Sequence, residues 1–204
     1  ELLLGGYPIK NENFSWNTSL NLGYNSSKIL HTDSTNAPIN VDGSQSRDRN
    51  ATISHIIGEH YGVIYGSSYQ RDSNGNIKYD NSSAIPKPIR GENKILGQGV
   101  APYTVGFSNT FKYKNLSLSF LIDAKYGGSV YSGTNHDLTL AGLTQKTLAG
   151  RETGLVITGV DNVTNATFTK TVAPKDLNVY WGNIGAENTG IAEEFIYSTD
   201  FIKF

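Results

Sequence analysis

Hydrophobic and polar residues alternate along three segments of the chain, and each alternation predicts a β-strand. The first segment, predicted as a strand over residues 13–29, contains the stretch FSWNTSLNLGYN. Aromatic and aliphatic side chains and one threonine fall at its even positions, whereas serine, asparagine and glycine fall at its odd positions. Successive side chains of a strand point to opposite faces of a sheet, so this period of two predicts a strand with one apolar and one polar face.

The other two alternating segments, predicted as strands over residues 103–113 and 116–131, flank the dipeptide Lys114-Asn115. Twisted antiparallel strands favour a two-residue loop, so the pattern predicts a β-hairpin with its turn at this dipeptide. A slip of one residue would mix the apolar and polar side chains on both faces. The alternation therefore specifies the register of the hairpin.

The two faces of the predicted hairpin differ in chemistry. One face collects aliphatic and aromatic residues with a single amide, Asn109, near the middle of its strand. The other face collects serine and threonine, and it also holds the three charged residues Lys112, Asp123 and Lys125. The apolar face carries no charged residue on any of the three strands, although one residue in every six of the chain is charged.

Alternation alone leaves two fold classes open. In a soluble β-sandwich the apolar face packs on a second sheet, whereas in a membrane β-barrel it contacts lipid. Both arms of the hairpin exceed the 5–6 residues of a typical globular strand and match the about 9–11 residues of a membrane strand. Tyr103 and Tyr126 lie at one end of the apolar face and Tyr113 lies at the other, an arrangement typical of the aromatic girdles of barrels.

The prediction is therefore an all-β fold in which residues 1–204 supply antiparallel strands of a transmembrane β-barrel and do not close a barrel alone. The two long connections, residues 31–102 and 132–193, are predicted as long extracellular loops, and residues 194–204 as a last strand. Within the first loop, Asn74-Gly75 predicts the turn of a small hairpin. The alternative is a soluble secreted β-sandwich that acts as a carbohydrate-binding module.

The amino-acid composition argues against several other classes of function. The chain has 17 basic and 18 acidic residues, a balance that gives no indication of nucleic-acid binding. It has no cysteine, which excludes disulfides and thiolate metal sites. It also has no methionine, even at position 1, and we interpret the sequence as an internal piece of a longer polypeptide.

The sequence offers no catalytic or metal-binding motif, and we predict no enzyme, no cofactor and no metal. The stretch RDSNGNIKY resembles a calcium loop, but Ile77 stands where glycine is required, and an ordinary turn explains it better. In HIIGEH the residues His55, Glu59 and His60 lack the spacing of a zinc helix. Glu193 and Glu194 are adjacent, and in the predicted strand they face opposite sides, so they are not a glycosidase pair.

Aromatic residues in the two predicted loops are candidates for contact with a ligand, because such rings stack on sugars and peptide side chains. The alternative is that they pack within the loops. The candidates are Tyr65, Tyr69, Tyr180 and Trp181.

Four blocks of sequence, in order along the chain, resemble the C-terminal half of the barrel in SusC/RagA-type TonB-linked outer-membrane transporters of Bacteroidetes. They are FSWNTSLNLGYNSSKI, VIYGSSYQRDSNGNI, LGQGVAPYTVGFSNTFKYKNLSLSFLIDAKYGGSVYS and EEFIYSTDFIKF. The resemblance implies a barrel of about 22 strands in the bacterial outer membrane. It also implies a plug domain through which TonB drives import of glycans or oligopeptides, and a SusD-like lipoprotein lid. The plug and most of the strands are absent from this chain.

Overall fold

A computed structural model of the chain describes residues 1–41 and 50–204. Its strands, in chain order, are β1 (Leu2–Lys10), β2 (Phe14–Tyr24), β3 (Ile39–Asn40), β4 (Ala51–His55), β5 (Val63–Tyr69), β6 (Lys78–Asp80), β7 (Lys87–Pro88), β8 (Arg90–Gln98), β9 (Tyr103–Tyr113), β10 (Leu116–Tyr126), β11 (Ser129–Tyr131), β12 (Leu155–Asp161), β13 (Thr167–Val172), β14 (Ile196–Ser198) and β15 (Phe201–Lys203). The α-helices are α1 (Gly133–Leu140) and α2 (Leu177–Ile184). Neither helix has the length and hydropathy needed to cross a bilayer, and the described residues contain no other α-helix.

Five antiparallel strands form one open sheet, here called the wall sheet, in the order β1-β2-β9-β10-β15. The β9–β10 hairpin pairs Tyr113 with Leu116 and Tyr103 with Tyr126, which confirms the register that the alternation predicts. Lys114 adopts a φ of 50° at its tight turn, a conformation that a non-glycine residue rarely takes. The predicted class, antiparallel β-structure that does not close on itself, is confirmed.

Aromatic rings run across the apolar face of the wall sheet. Trp16 stacks on Phe111 with ring centroids 5.6 Å apart, and Phe111 stacks on Phe120 at 6.1 Å. Toward the turn, Leu116 and Leu118 remain 74% and 63% exposed. Within the described residues no second sheet covers this face. The arrangement contradicts the β-sandwich alternative, in which the same face would be the core.

Asn109, the amide on the apolar face, is buried with 2% of its surface exposed. The indole Nε1 of Trp16 donates a hydrogen bond of 2.9 Å to its Oδ1. Within residues 1–41 and 50–204, the buried Nδ2 of Asn109 has no hydrogen-bond partner. The exception to the apolar pattern is thus a side chain whose acceptor is satisfied and whose donor is not.

The predicted strand ends differ from the observed ones where glycines and polar turns interrupt the ladder. The strand predicted over 13–29 ends at Tyr24. The segment predicted over 116–131 divides into β10 and β11 because Gly127 takes a φ of 85°, a left-handed conformation that suits glycine. The strand predicted over 194–204 consists of the end of a 3-10 turn, Ala192–Phe195, followed by the short strands β14 and β15.

The predicted loops 31–102 and 132–193 contain most of the remaining secondary structure, and residues 42–49 of the first lie outside the described residues. We refer to residues 25–41, 50–102 and 127–200 as the loop domain. It holds a four-stranded sheet β3-β4-β5-β8, a second one in the order β13-β12-β6-β7, and the pair β11-β14. The predicted hairpin around Asn74-Gly75 keeps its turn, but β5 pairs with β4 and β8, leaving only a bridge from Arg71 to Ile77.

The hydrophobic core of the described residues lies in the loop domain, not in the wall sheet. Among the buried apolar side chains, Ala124 alone belongs to a wall strand. The largest cluster joins the second four-stranded sheet to α2 and to the 3-10 turn; its buried members are Tyr79, Ile157, Val172, Leu177, Tyr180, Ile184 and Phe195. Burial of each such side chain contributes about 1.5–3 kcal/mol to the free energy of folding. This cluster therefore stabilises the fold of the loop domain.

Two adjacent carboxylates join the two long connections. Glu193 accepts hydrogen bonds from the backbone N–H of Tyr69 (2.9 Å) and from Arg71 (2.7 Å), and Lys94 lies 3.3 Å from it. Glu194 accepts from the Tyr69 hydroxyl (2.7 Å) and from Lys146 (3.0 Å). The predicted strand geometry for this pair is wrong, because both residues lie on a 3-10 turn and reach the same neighbouring strand. We call this arrangement the acidic junction.

Burial acts to raise the pKa of Glu193, but the hydrogen bonds from Arg71 and from the Tyr69 N–H, with the charge of Lys94, outweigh it and lower that pKa. A carboxylate whose pKa is lowered on folding stabilises the fold above its unfolded pKa. That contribution disappears as the pH falls through the folded pKa.

We expect Trp16→Phe to lower the free energy of unfolding by about 1–3 kcal/mol, because it leaves the buried amide of Asn109 without any partner. Trp16→Phe combined with Asn109→Leu should cost less than the two single changes together. Urea unfolding followed by circular dichroism measures the four variants of this cycle. Additive losses would show that the hydrogen bond contributes nothing of its own.

We expect Glu193→Gln to reduce the loss of stability that accompanies acidification, because the lowered pKa of Glu193 no longer contributes. Unfolding free energies measured from neutral pH to about pH 3 give the slope for each variant. Glu12→Gln, at an exposed turn of the wall sheet, is the matched control and should keep the original slope. Equal slopes for Glu193→Gln and the unmodified chain would contradict the assignment.

Candidate functional site

The register of the wall sheet places Lys112, Asp123 and Lys125 on one face with the hydroxyl-bearing side chains. Lys112 lies between Ser15 and Ser117 on the neighbouring strands. Across the same face Thr110 and Ser119 share a hydrogen bond of 3.0 Å between their hydroxyls. This face is therefore a continuous hydrogen-bonding surface with fixed charges.

Asp123 and Lys125 lie at the end of the polar face nearest the loop domain. Asp123 is paired with Gly106 on one side and Lys203 on the other. An acid opposite a base on neighbouring strands is a favourable cross-strand pair. On β9 the residue opposite Asp123 is Gly106, which has no side chain to pair with the carboxylate. Whether these residues face a lumen stays a prediction.

Two of the four loop aromatics lie inside the core of the loop domain. Tyr69 and Tyr180 are 8% and 5% exposed, so neither ring presents a surface to a ligand in this structure. Burial first, and then the charge of Glu194, raise the pKa of Tyr69 well above its usual range. Burial and the neighbouring Tyr79 raise that of Tyr180. Both tyrosines remain neutral and pack in the core, and Tyr69 also belongs to the acidic junction.

The other two loop aromatics are half-buried. Tyr65 lies on β5 with one side toward solvent, opposite Thr52 of β4. Trp181 lies on α2, in T-shaped contact with Tyr180 at 5.3 Å between centroids. The amine of Lys146 lies 5.6 Å from the Trp181 ring centroid. The structure thus does not bring the four residues together at one site, and ligand contact by Tyr65 and Trp181 stays a prediction.

Trp181 lines a cleft between α1 and α2, which we call the helix cleft. The two helices touch at one end, where Nε2 of His136 lies 2.8 Å from the carbonyl oxygen of Gly185. A cleft of about 350 Å³ lies between the end of α1 and the start of α2. The lining residues are Thr139, Leu140, Ala141, Gly142, Thr147, Arg151, Pro174, Leu177, Asn178 and Trp181.

Arg151 is the one charged residue that lines the helix cleft. Its Nε donates to the carbonyl oxygen of Thr147 at 3.1 Å, and its Nη2 donates to that of Gly142. Sequence analysis missed this residue, since an isolated arginine in a polar stretch carries no signal. The helix α2 was also missed, although Leu177, Tyr180, Trp181 and Ile184 follow helical spacing.

No group of three or more metal-ligating side chains occurs among residues 1–41 and 50–204. The ring of His55 packs at a tilt against that of Tyr61, with 4.5 Å between the centroids. In the turn that resembles a calcium loop, Asp72 accepts hydrogen bonds from the backbone N–H groups of Asn74 and Asn76. Its carboxylate therefore stabilises the turn itself.

Comparison with known proteins adds sequence relatives and a fold neighbour. No protein-family model matches the chain. Two TonB-dependent receptors of Formosa agariphila are similar to it, one 22% identical over 183 residues and the other 25% identical over 154 residues. The matches cover 67% and 66% of this chain but only 17% and 15% of the receptors, so the chain spans about a sixth of their length.

A solved structure described as the RagAB peptide transporter has a similar fold. Its TM-score is 0.55 at 13% identity, and the match covers 98% of this chain and 21% of that one. These relatives are named as receptors and a transporter, in agreement with the prediction that the chain is not an enzyme. The chain is therefore similar in sequence to part of TonB-dependent receptors, and its fold is similar to part of the RagAB transporter, in agreement with the predicted resemblance.

Proposed function

We propose that the chain contributes barrel wall and an extracellular vestibule to an outer-membrane importer of glycans or oligopeptides that is driven by TonB. The observation that carries this proposal is the wall sheet, whose apolar face is continuous, free of charge and uncovered, while its other face is rich in hydroxyl groups. Such a sheet is stable where lipid meets one face and water the other. A soluble protein would have to bury the first face.

The dimensions of the wall sheet support this position in a membrane. The strands β2, β9 and β10 are 11 residues long, the length that crosses a bilayer at a tilt of about 45°. Tyr24, Tyr103 and Tyr126 mark one rim of the apolar face, and Tyr113 marks the other. Tyrosine suits the headgroup level because its ring is apolar and its hydroxyl is hydrated.

The polar face borders the hydrated passage in this proposal. Lys112, Asp123 and Lys125 face the lumen and, with the neighbouring hydroxyls, provide hydrogen bonds and charge along the path of the cargo. The loop domain, anchored by its own core, forms the outer vestibule. Tyr65 and Trp181 are its candidate contacts with cargo or lid.

The partners of the complete receptor are proposed from the resemblance to SusC/RagA-type transporters. A plug domain outside this chain receives energy from TonB, and a SusD-like lipoprotein closes the vestibule from above. The peptide transporter among the fold neighbours supports oligopeptides as cargo, and glycans are the second class. Neither cargo requires chemistry from this chain, since import proceeds by binding and passage.

Uptake by cells that produce the complete receptor tests this function. We expect fluorescent oligopeptides or oligosaccharides to accumulate in these cells and not in cells that lack TonB. Binding at the cell surface without TonB would persist, because recognition precedes the energised step. Accumulation that is equal with and without TonB would contradict an energised importer.

A cysteine pair tests which face meets lipid, and this segment supplies no cysteine of its own. Leu118→Cys and Ser119→Cys place a fluorescent label on opposite faces of β10. In the otherwise cysteine-free receptor in vesicles, we expect brominated lipid to quench the label at position 118 and aqueous iodide the label at 119. Equal quenching of both labels by iodide would contradict the proposed orientation.

Arginine substitution at two neighbouring positions tests the proposed orientation through the stability that a charge costs on each face of the sheet. Ile122 lies on the apolar face and Leu121 on the polar face. We expect Ile122→Arg to cost about 2–4 kcal/mol of barrel stability, because lipid cannot solvate the charge, and Leu121→Arg to cost far less. Unfolding of the vesicle-bound receptor in guanidinium measures both. A larger loss for Leu121→Arg would reverse the assignment of the faces.

A further inference from the structure

The helix cleft contains a positive charge that no acidic residue in the described part of the chain neutralises. Arg151 has no carboxylate within 4.0 Å among the described residues, and none of the residues that line the cleft is acidic. The nearby Lys146 differs, since it lies 3.0 Å from Glu194 in the acidic junction. Lys175, next to Pro174 in the sequence, is exposed but does not line the cleft, so Arg151 is the cation that the cleft lining offers to an external anion.

Arg151 is also held in place before any ligand arrives. Backbone carbonyl oxygens of Gly142 and Thr147 accept from Nη2 and Nε, and the hydroxyl of Thr147 lies 3.4 Å from Nη2. These contacts leave Nη1 without a partner in the described part of the chain. A planar guanidinium that is already oriented loses little entropy when it binds a carboxylate.

The remaining surface of the helix cleft is mainly apolar. Trp181 and Leu177 of α2 face Leu140 and Ala141 at the end of α1, and Asn178 adds an amide at the rim. A volume of about 350 Å³ is in the range of small-ligand sites. A fixed cation beside an aromatic ring and aliphatic side chains fits a ligand with an anionic group on an apolar or ring-shaped body.

We propose that the helix cleft is a binding site for the carboxylate-bearing end of the cargo. Arg151 receives the carboxylate, Trp181 packs against the adjoining side chain or sugar ring, and Asn178 donates a hydrogen bond at the rim. A peptide C-terminus and a uronic acid unit offer this same chemistry. The proposal rests on the proposed importer function, since it assumes that cargo reaches the loop domain.

Calorimetric titration of the complete receptor in detergent tests the cleft independently of transport. The probes are acetyl-Ala-Ala-Leu with a free carboxylate or a C-terminal amide, and trigalacturonic acid or its methyl ester. A preference for the free peptide acid identifies a peptide carboxylate, and a preference for the free uronic acid identifies a glycan carboxylate. If no probe binds, or if acid and neutral forms bind equally, the proposal is overturned.

Single substitutions test whether the preference for the acid over the neutral probe arises in the helix cleft. We expect Arg151→Gln to weaken binding of the preferred acid by about tenfold or more, since a charged hydrogen bond is lost. Lys175→Gln removes the same charge from an exposed neighbour outside the cleft lining and should leave binding unchanged. Equal losses for the two variants would show a general effect of charge and would overturn the site.

A second variant avoids the loop that Arg151 supports. Asn178→Asp places a negative charge at the rim without touching Gly142 or Thr147, and aspartate is well tolerated in the first turn of a helix. We expect it to weaken binding of the acid and to leave the neutral probe unaffected. Unchanged acid binding in this variant would overturn the proposal. The cysteine labels on β10 report separately whether the barrel itself is correctly placed.

Discussion

The rest of the structure depends on one constraint, the register in which the strands of the wall sheet pair. Side chains alternate between faces, so the apolar residues of β2, β9 and β10, with the exception of Leu121, reach the same face only if the strands pair without a slip. The tight turn at Lys114 fixes this pairing at one end. A shift of one residue would place Lys112 and Asp123 among the phenylalanines, at a cost that neither lipid nor a protein core could offset.

The loop domain is connected to the same strands, but it is stabilised by a hydrophobic core of its own. Its core joins a four-stranded sheet to α2, and the acidic junction ties the connection after β10 to the connection before β9. The Arg71–Glu193 contact is partly screened by solvent, so its energy is modest. Its importance is geometric: it fixes the 3-10 turn at Glu193 against β5, and β5 pairs with β8 directly before the wall strand β9.

The wall could be predicted from the sequence because its signal is local. Period-two alternation and one short turn determine the hairpin, including the pair Phe107–Ile122, without knowledge of any distant residue. The loop domain could not, because its strands are short and its contacts distant: Tyr69 meets Glu193 and Glu194 across more than a hundred residues. The helical spacing of α2 was present in the sequence, but its aromatic residues favoured the interpretation as loop contacts. Two of the four aromatic candidates, Tyr69 and Tyr180, lie instead in the core of the loop domain.

Asn109 shows what the alternation of apolar and polar residues can and cannot predict at a single position. Alternation places it correctly on the apolar face, yet nothing local indicates that Trp16, ninety-three residues away, satisfies its oxygen. The same limit applies to Arg151, whose position depends on backbone carbonyls displayed by the turn after α1. In both cases the residue type is visible in the sequence, whereas its partner comes from the tertiary fold. Charged and amide groups are therefore the positions at which the structure adds most to a sequence-based account of this chain, because their cost or benefit depends on which atom lies opposite them.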